Sequence, residues 1–464
     1  MKLGLRGGFA GLLFLFNIAA ATIIVFGTGG VIDLGVGLLY FSFIMFSFIY
    51  ARMLFVSSST PLYFSLLIYF GYAFVLPGLY QVATGNFFWI SSVRGYEYEV
   101  GAAFIIFLAV LAMCCVELYS PQREVDNKDE LAEVVEKEKL KWGFSSLVVS
   151  IVSFVYSLFI LRKFGPEILF LPRGAVSAII ANQFGEGGAA FGLIKTLGQG
   201  LAIGSLATSF YVLVNCRRRN IAIIIALLLS VISNAIVNFP LAVPRFYLVA
   251  IVFVIMFSAY ANFFQKYKVL LGWAIPVSMF LIFPILGRFN RGDEFESNFD
   301  FVSFGEYLTH GDLDGYQSLM NVVHYVGVFG ISWGHGLLSS LLFFVPRGFW
   351  EEKASPTGQA AAENAAYHFT NISMPLPGEL YSNFGYAGVF LGMLCIVRFI
   401  HLLDVRFERV ASNPGVSMLT IVFAAYMPII FRGSLLSTIQ GFACSVAAIL
   451  LWVVILKFKF KYSH

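Results

Sequence analysis

The sequence predicts an all-α, polytopic membrane protein of about 12 transmembrane helices with one large, partly helical extracytoplasmic loop. Of its 464 residues, 59% are hydrophobic and only 12% are charged, and the mean hydropathy is +0.83. Runs of about 20 apolar residues, long enough to cross a hydrocarbon core of roughly 30 Å as helices, recur along the chain. No shift in composition marks a domain boundary, so residues 1–464 are interpreted as a single integral membrane domain.

The apolar runs give the predicted helices in order. Their centres lie near residues 18, 41, 71, 108, 152, 203, 229, 254, 277, 390, 422 and 447. Segment 121–142, between the fourth and fifth runs, mixes both charge signs and is predicted to be a cytoplasmic loop. Segment 287–379, between the ninth and tenth runs, is far longer and is predicted to be an extracytoplasmic, periplasmic loop.

The orientation follows from lysine and arginine, which favour the cytoplasmic side of membrane proteins. If the N-terminus is cytoplasmic, 19 of the 30 basic residues fall on inner segments. Both termini are therefore predicted to be cytoplasmic. Since the positive charge reflects topology, it indicates no nucleic-acid partner, and the partner that the composition implies is the lipid bilayer.

The long loop carries most of the polar chemistry of the chain. Its eleven acidic and four basic residues give a net charge of −7, and it holds four of the six histidines. The spacing of apolar residues predicts a helix over 312–328, and the Ala-rich segment 356–369 is predicted to form a second surface helix. Between them, 336–345 is apolar but too short to span, and is predicted to be an interfacial or re-entrant segment. The triplet Asp312-Leu313-Asp314 has the spacing of a metal site for nucleotide sugars, but such sugars are not expected on this face. No metal and no cofactor are predicted.

Two arginines lie at the outer ends of apolar helices with almost no loop to reach into. They are Arg245, in AVPRFY, and Arg432, in FRGS. Ionisable groups near the membrane are costly unless they are paired, which favours a functional role. A guanidinium is the side chain best suited to bidentate binding of phosphate. For the other basic residues on this side, such as Arg162, Lys163 and Lys195, snorkelling to the interface is the favoured interpretation.

Three motifs of the loop carry a resemblance to a known family. They are GDLDGYQ at Gly311–Gln317, FFVPRGFWEEK at Phe343–Lys353 and NISMPLPGELYSNFG at Asn371–Gly385. Together they resemble the Wzy-type oligosaccharide repeat-unit (O-antigen) polymerases, most closely over about residues 305–400. The resemblance extends more loosely to PRFYL near Arg245 and FRGSLL near Arg432. The Pro-Lys-Pro that usually follows the tryptophan is Glu-Glu-Lys here, which weakens any role for Lys353.

The resemblance implies an enzyme of the bacterial cell inner membrane. It would polymerise undecaprenyl-diphosphate-linked oligosaccharide repeat units, for O-antigen, capsule or a related surface polysaccharide, on the extracytoplasmic face. It would need no nucleotide sugar and would work with a chain-length regulator protein. Two alternatives stay open. One is an O-antigen ligase using the same donor, and the other is a transporter or flippase of lipid-linked oligosaccharide, although no internal repeat of the kind common in transporters is visible.

Under this hypothesis, each candidate residue has a predicted role. The diphosphate would be bound by Arg245, Arg432 and Arg347. One side chain would act as the base that takes the proton from the attacking hydroxyl. In order of preference, the candidates are Glu379, Asp314, Asp312 and the loop histidines. Sugar contacts are predicted for Tyr316, Trp350 and Asn371.

Structural interpretations of the same residues also stay open. Glu379 could bind free N–H groups at a helix start, and Asp312 and Asp314 could cap the helix predicted over 312–328. The aromatic residues could belong to the interfacial belt of any membrane protein.

Overall fold

The computed structural model describes residues 2–29, 32–55, 61–89, 93–119, 139–166, 171, 188–216, 220–240, 242–259, 264–291, 303–409 and 413–457. Within these residues every regular element is helical. Eight helices precede the long loop or lead towards it: α1 Lys2–Gly27, α2 Leu34–Phe55, α3 Pro61–Thr84, α4 Tyr96–Tyr119, α5 Lys139–Phe164, α6 Gly188–Asn215, α7 Ile221–Val237 and α8 Arg245–Ser258. The next helix, α9, is Gln265–Arg291.

The long loop is folded into four short helices and a single 3₁₀ turn over the part that the structure describes, 303–375. They are α10 Phe304–Leu308, the 3₁₀ turn Gly311–Leu313, α11 Gly315–Phe329, α12 His335–Leu341 and α13 Thr357–Asn364. Three helices follow: α14 Leu376–Arg409, α15 Pro414–Arg432 and α16 Leu435–Lys457. The helix predicted over 312–328 is confirmed to within a few residues, and the one predicted over 356–369 is shorter and ends at Asn364. Most of the predicted cytoplasmic loop 121–142 lies outside the described residues.

The helices confirm a membrane protein. Each of the twelve predicted centres falls within a helix, because local apolar runs decide where a helix can lie in lipid. In the described part of the chain, nine helices are long and apolar enough to cross a membrane. The other three, α7, α8 and α9, are not among these nine, so the count of twelve crossings stays a prediction.

Helix α3 forms the centre of the bundle, since it is buried along its whole length. Its middle, Tyr69–Val75, is wound as a π-helix, with Pro77 just beyond it. A proline inside a helix lacks the N–H that would bond four residues back, so the wider turn accommodates the lost hydrogen bond. Segments of π-helix occur frequently at functional sites, and the end of this one packs against the first turn of α11 in the long loop. Gly315 lies against Phe74, and Gly78 lies against the Tyr316 ring.

Charged side chains gather at two opposite ends of the bundle. At one end, Arg52 in the last turn of α2 lies 3.1 Å from Glu117 in the last turn of α4. Asp404, in α14, accepts hydrogen bonds there from the backbone of Leu62 and Tyr63 at the start of α3. The second group, described below, lies where α8 begins and α15 ends.

Candidate active site

The centre of the candidate site is a buried ion pair between a helix and the loop. Arg245, the first residue of α8, places Nη1 2.5 Å from Oδ2 of Asp312 in the 3₁₀ turn. The arginine side chain is only 6% exposed and the aspartate 16%. Pro244 ends the preceding connection directly before α8, so the arginine has no flexible segment on which to withdraw into water. The pair therefore fixes the 3₁₀ turn against the end of the bundle at which α8 begins and α15 ends.

The second arginine approaches the same turn from another helix. Arg432, the last residue of α15, donates from Nε to the carbonyl of Asp312 at 3.3 Å and from Nη2 to that of Gly311 at 3.4 Å. Its guanidinium lies over the ring of Phe246, 4.8 Å from the centroid. These contacts are longer than those of Arg245, and the side chain is 22% exposed. Arg432 is therefore the more accessible cation of the two.

Asp314 lies beside Arg432 and is held by a tryptophan from another connection. Trp89 Nε1 donates to Asp314 Oδ2 at 2.8 Å, while Asp314 Oδ1 lies 3.9 Å from Arg432 Nη2. Gln317 fixes the backbone of Trp89 from both sides, accepting from its N–H at 2.8 Å and donating to its carbonyl at 2.6 Å. Asp314 is the N-cap residue of α11, but its side chain makes no capping hydrogen bond. The capping role that the sequence left open does not apply.

His310 completes the cluster on the other side of Asp312. Its Nδ1 lies 3.3 Å from the amide nitrogen of Asp312 and 3.4 Å from Oδ2. The ring stacks on that of Tyr307, and its side chain is 27% exposed. Burial, and then the negative charge of Asp312, raises the pKa of the Tyr307 hydroxyl. The sequence ranked the loop histidines below the carboxylates, and nothing in the local pattern showed that His310 would contact Asp312.

The surroundings of Asp312 make it a poor proton acceptor. Burial, the largest influence, acts to raise the pKa of Asp312, but the contact with His310 and the charges of Arg245 and Arg432 outweigh it. The pKa is held at about 2, below its ordinary value. A carboxylate this acidic is ionised near neutral pH and binds a proton weakly. Its position suits a counter-ion that holds two arginines and a histidine in place.

Glu379 was the first choice for the catalytic base, but its carboxylate is used inside the fold. It is 2% exposed and accepts from the Thr357 hydroxyl at 2.6 Å and from the backbone N–H of Leu435 at 2.9 Å. Leu435 begins α16, whose first N–H groups have no partners within the helix. Glu379 therefore bonds the start of a neighbouring helix, whereas the sequence-based alternative placed it at the start of its own. This geometry favours positioning of the loop over proton transfer.

Arg347 lies in the non-helical segment 342–355 that follows α12, which is called the hairpin here, and its guanidinium is bonded to the backbone. It donates to the carbonyls of Lys353 at 2.6 Å and Ala354 at 3.0 Å. Lys353 Nζ in turn donates to the carbonyls of Leu342, Phe343 and Val345 at 2.8–3.0 Å. The described contacts of Arg347 therefore hold the hairpin together and include none with the cluster around Asp312.

The three predicted sugar-binding residues lie in different surroundings. Tyr316 is fully buried, and its hydroxyl donates to the carbonyl of Glu99 at 2.7 Å, so it belongs to the core. The apolar stripe of α11 requires this position, and a sugar contact would require the core to open. Trp350 packs edge-on against His335, and Asn371 is exposed to solvent.

An aromatic stack lies next to Asp314 and joins Tyr367 and Phe369, which the sequence also offered for stacking on sugar rings, to Trp89, which it did not single out. The ring of Trp89 stacks on Tyr367, with centroids 5.6 Å apart, and on Phe369, with centroids 5.8 Å apart. Phe369 is 50% exposed, and the Tyr367 hydroxyl exchanges hydrogen bonds with Asn321. The sequence-level signal was the aromatic run FFW in a short connection, which is equally typical of an interfacial belt.

No family model, no curated protein and no solved structure matches this chain. The likeness to the polymerases therefore depends on the loop motifs alone. In the described part of the chain, no group of three or more His, Cys, Asp or Glu side chains is arranged to hold a metal ion. The expectations of no metal and no cofactor stay predictions.

Proposed function

We propose that the chain is a membrane glycosyltransferase that polymerises undecaprenyl-diphosphate-linked oligosaccharide repeat units on the extracytoplasmic face. The observation that carries this proposal is the convergence of two arginines, from α8 and α15, on one turn of the loop beside a carboxylate and a histidine. The cluster lies at the ends of apolar helices, where the head group of a lipid-linked substrate would be. The resemblance of the loop motifs supports the same reaction.

In the proposed mechanism the two arginines have different tasks. Arg432, the more exposed, would bind the diphosphate of the donor and stabilise the negative charge that develops as it leaves. Arg245, neutralised by Asp312, would hold the 3₁₀ turn and thereby orient Arg432. The glycosidic bond forms between the acceptor hydroxyl oxygen and the anomeric carbon, and the bond from that carbon to the diphosphate oxygen breaks.

The hydroxyl proton would pass to a side chain of the cluster. His310 is our first choice, because histidine is the side chain that most often serves as a general base in enzymes and the ring of His310 is partly exposed. Asp314 is the second choice, since Trp89 fixes one of its oxygens by a hydrogen bond and the other lies 3.9 Å from Arg432 Nη2. The order differs from that given by the sequence, since Glu379 is used inside the fold and Asp312 is too acidic.

The test uses a strain deleted for this gene and the length distribution of its surface polysaccharide on a gel. Wild-type protein is expected to restore a ladder, and the deletion to leave a single capped repeat. Arg432→Ala is expected to reduce polymer by roughly 10²–10³-fold, the usual cost of losing one preorganised donor. Arg162→Ala, which changes an exposed arginine in the last turn of α5, is the matched control and should keep the ladder.

The same gel separates the alternatives. If the deletion abolishes even the single repeat on the surface, the export or ligation of repeat units becomes the better interpretation. If the ladder survives the deletion unchanged, the proposal is wrong. Because the proposed chain-length regulator would alter only the modal length of the ladder, its presence does not affect these outcomes.

A further inference from the structure

The short helix α12 has its polarity inverted relative to a helix on the surface of a soluble domain. Its Ser339 and Ser340 are buried, at 0% and 2% exposed, whereas Leu338 and Leu341 are 48% and 68% exposed. The buried hydroxyls are bonded inside the loop: Ser339 accepts from the N–H of Ala354, and Ser340 donates to the carbonyl of Gly336. Apolar residues outside and polar residues inside are the pattern of a helix whose surroundings are lipid.

Exposed apolar side chains continue on both sides of this helix. Trp333 is 79% exposed, Phe344 66% and Phe349 90%. Together with Leu338 and Leu341 they are called the apolar rim here. Large apolar side chains exposed together mark a binding surface for a protein or a membrane.

The apolar rim is continuous with a surface that the fold already assigns to lipid. Helix α12 packs against α14 and α16, two of the candidate membrane spans. Gly334, next to Trp333, lies against the ring of Phe384 at the start of α14. Phe384 is 42% exposed, and Leu391 further along α14 is 59% exposed. A bilayer that covers the exposed side chains of α14 therefore reaches the apolar rim where α12 packs against α14.

The hairpin behind the apolar rim meets the main requirement for entering lipid. Non-helical backbone at membrane depth must have its carbonyls bonded within the protein, because no water is present to bond them. Here Lys353 bonds three carbonyls of the hairpin, and Arg347 bonds two more. Lys353 is itself only 7% exposed, so the same ammonium group that satisfies the carbonyls is removed from solvent.

We propose that the apolar rim inserts into the leaflet that the loop faces and anchors the loop in the bilayer. The occupant of this surface is the boundary between head groups and acyl chains, which interfacial helices enter to a depth of about 5–10 Å. The proposal does not depend on the proposed enzymatic activity. It extends the interfacial segment that the sequence predicted over 336–345 to the flanking Trp333 and Phe349.

The test measures the depth of single nitroxide labels in the full-length protein reconstituted into phosphatidylcholine and phosphatidylglycerol vesicles. The labels are attached at Leu341→Cys and Phe344→Cys in a background in which the five native cysteines are replaced. Glu352→Cys and Ser355→Cys, on exposed polar positions of the same hairpin, are the matched controls. Accessibility to oxygen and to a water-soluble nickel complex is read by electron paramagnetic resonance.

Labels at 341 and 344 are expected to be reached by oxygen, shielded from nickel and placed about 5–10 Å below the lipid phosphates. Labels at 352 and 355 are expected to stay in water. The proposal fails if positions 341 and 344 are as accessible to nickel as position 355. It fails equally if they are shielded from both reagents, which would indicate a protein partner or a second copy of the chain on this surface. These outcomes do not depend on whether the protein polymerises polysaccharide, so this test and the test of the proposed function can fail separately.

Discussion

Breaking the ion pair between Arg245 and Asp312 should destabilise the protein by a predictable amount. Both side chains are largely buried, at 6% and 16% exposed, so Arg245→Ala leaves an ionised carboxylate without its closest counter-charge. Removing one partner of a buried pair typically costs about 3–5 kcal/mol. The lowered pKa of Asp312 agrees in direction, because the contact with His310 and the charges of Arg245 and Arg432 outweigh burial and favour the ionised form.

The double variant Arg245→Met/Asp312→Leu separates this effect from catalysis. Replacing both charges by apolar groups of similar volume is often neutral for stability, so the double variant should unfold at a higher temperature than Arg245→Ala alone. Thermal unfolding of purified protein in detergent, followed by size-exclusion fluorescence, gives the order. Polysaccharide on a gel should stay reduced in the double variant despite its higher stability, because the turn whose carbonyls Arg432 contacts is no longer fixed by the ion pair between Arg245 and Asp312.

Acid should weaken the same contact in a defined direction. The pKa of Asp312 is lower in the folded than in the unfolded protein, so its contribution is complete above about pH 4 and is lost as the pH falls towards 2. Asp312→Asn should remove this part of the acid dependence. The reasoning is refuted if Arg245→Ala and wild type unfold at the same temperature, or if the double variant unfolds at a lower temperature than Arg245→Ala.

Three further predictions concern the surroundings of the site. Glu379→Gln should keep most of the polymer and Glu379→Ala should lower the unfolding temperature, whereas a catalytic base would lose about 10²–10⁴-fold in rate as glutamine while the fold stayed intact. Trp89→Phe keeps the stack but removes the hydrogen bond to Asp314, and should cost roughly 10–100-fold in polymer, against no loss if Trp89 only packs. Lys353→Met removes the donor to three carbonyls and should make the hairpin more sensitive to limited proteolysis. Unchanged cleavage would contradict the inference that Lys353 holds the hairpin together.

The fold was largely predictable because its information is local. Each membrane helix is indicated by an apolar run in the sequence, and all twelve predicted centres lie in helices. Arg245 and Arg432 were also identifiable, since Arg245 begins an apolar helix, Arg432 ends one, and the connection beside each is short. Neither argument needs knowledge of which helices touch.

The partners of these arginines could not be predicted in the same way. Asp312 lies 67 positions from Arg245 and 120 from Arg432, so their contact depends on how the loop packs on the bundle. Trp89 was overlooked for the same reason, because only the folded chain brings its indole to Asp314. Tyr316 belongs to the apolar stripe of α11 and is fully buried, so the sugar contact predicted for it would require the core to open.

The central claim is tested most directly with purified protein in proteoliposomes, supplied with synthetic undecaprenyl-diphosphate-linked repeat units and no nucleotide sugar. Mass spectrometry of the lipid products should show two or more repeats on one lipid, with one undecaprenyl diphosphate released for each linkage formed. The Arg432→Ala variant, shown to unfold at the same temperature as the wild type, should give almost no lengthened product. If wild-type protein that is folded and inserted yields no lengthened product, the account of this chain as a polymerase is contradicted.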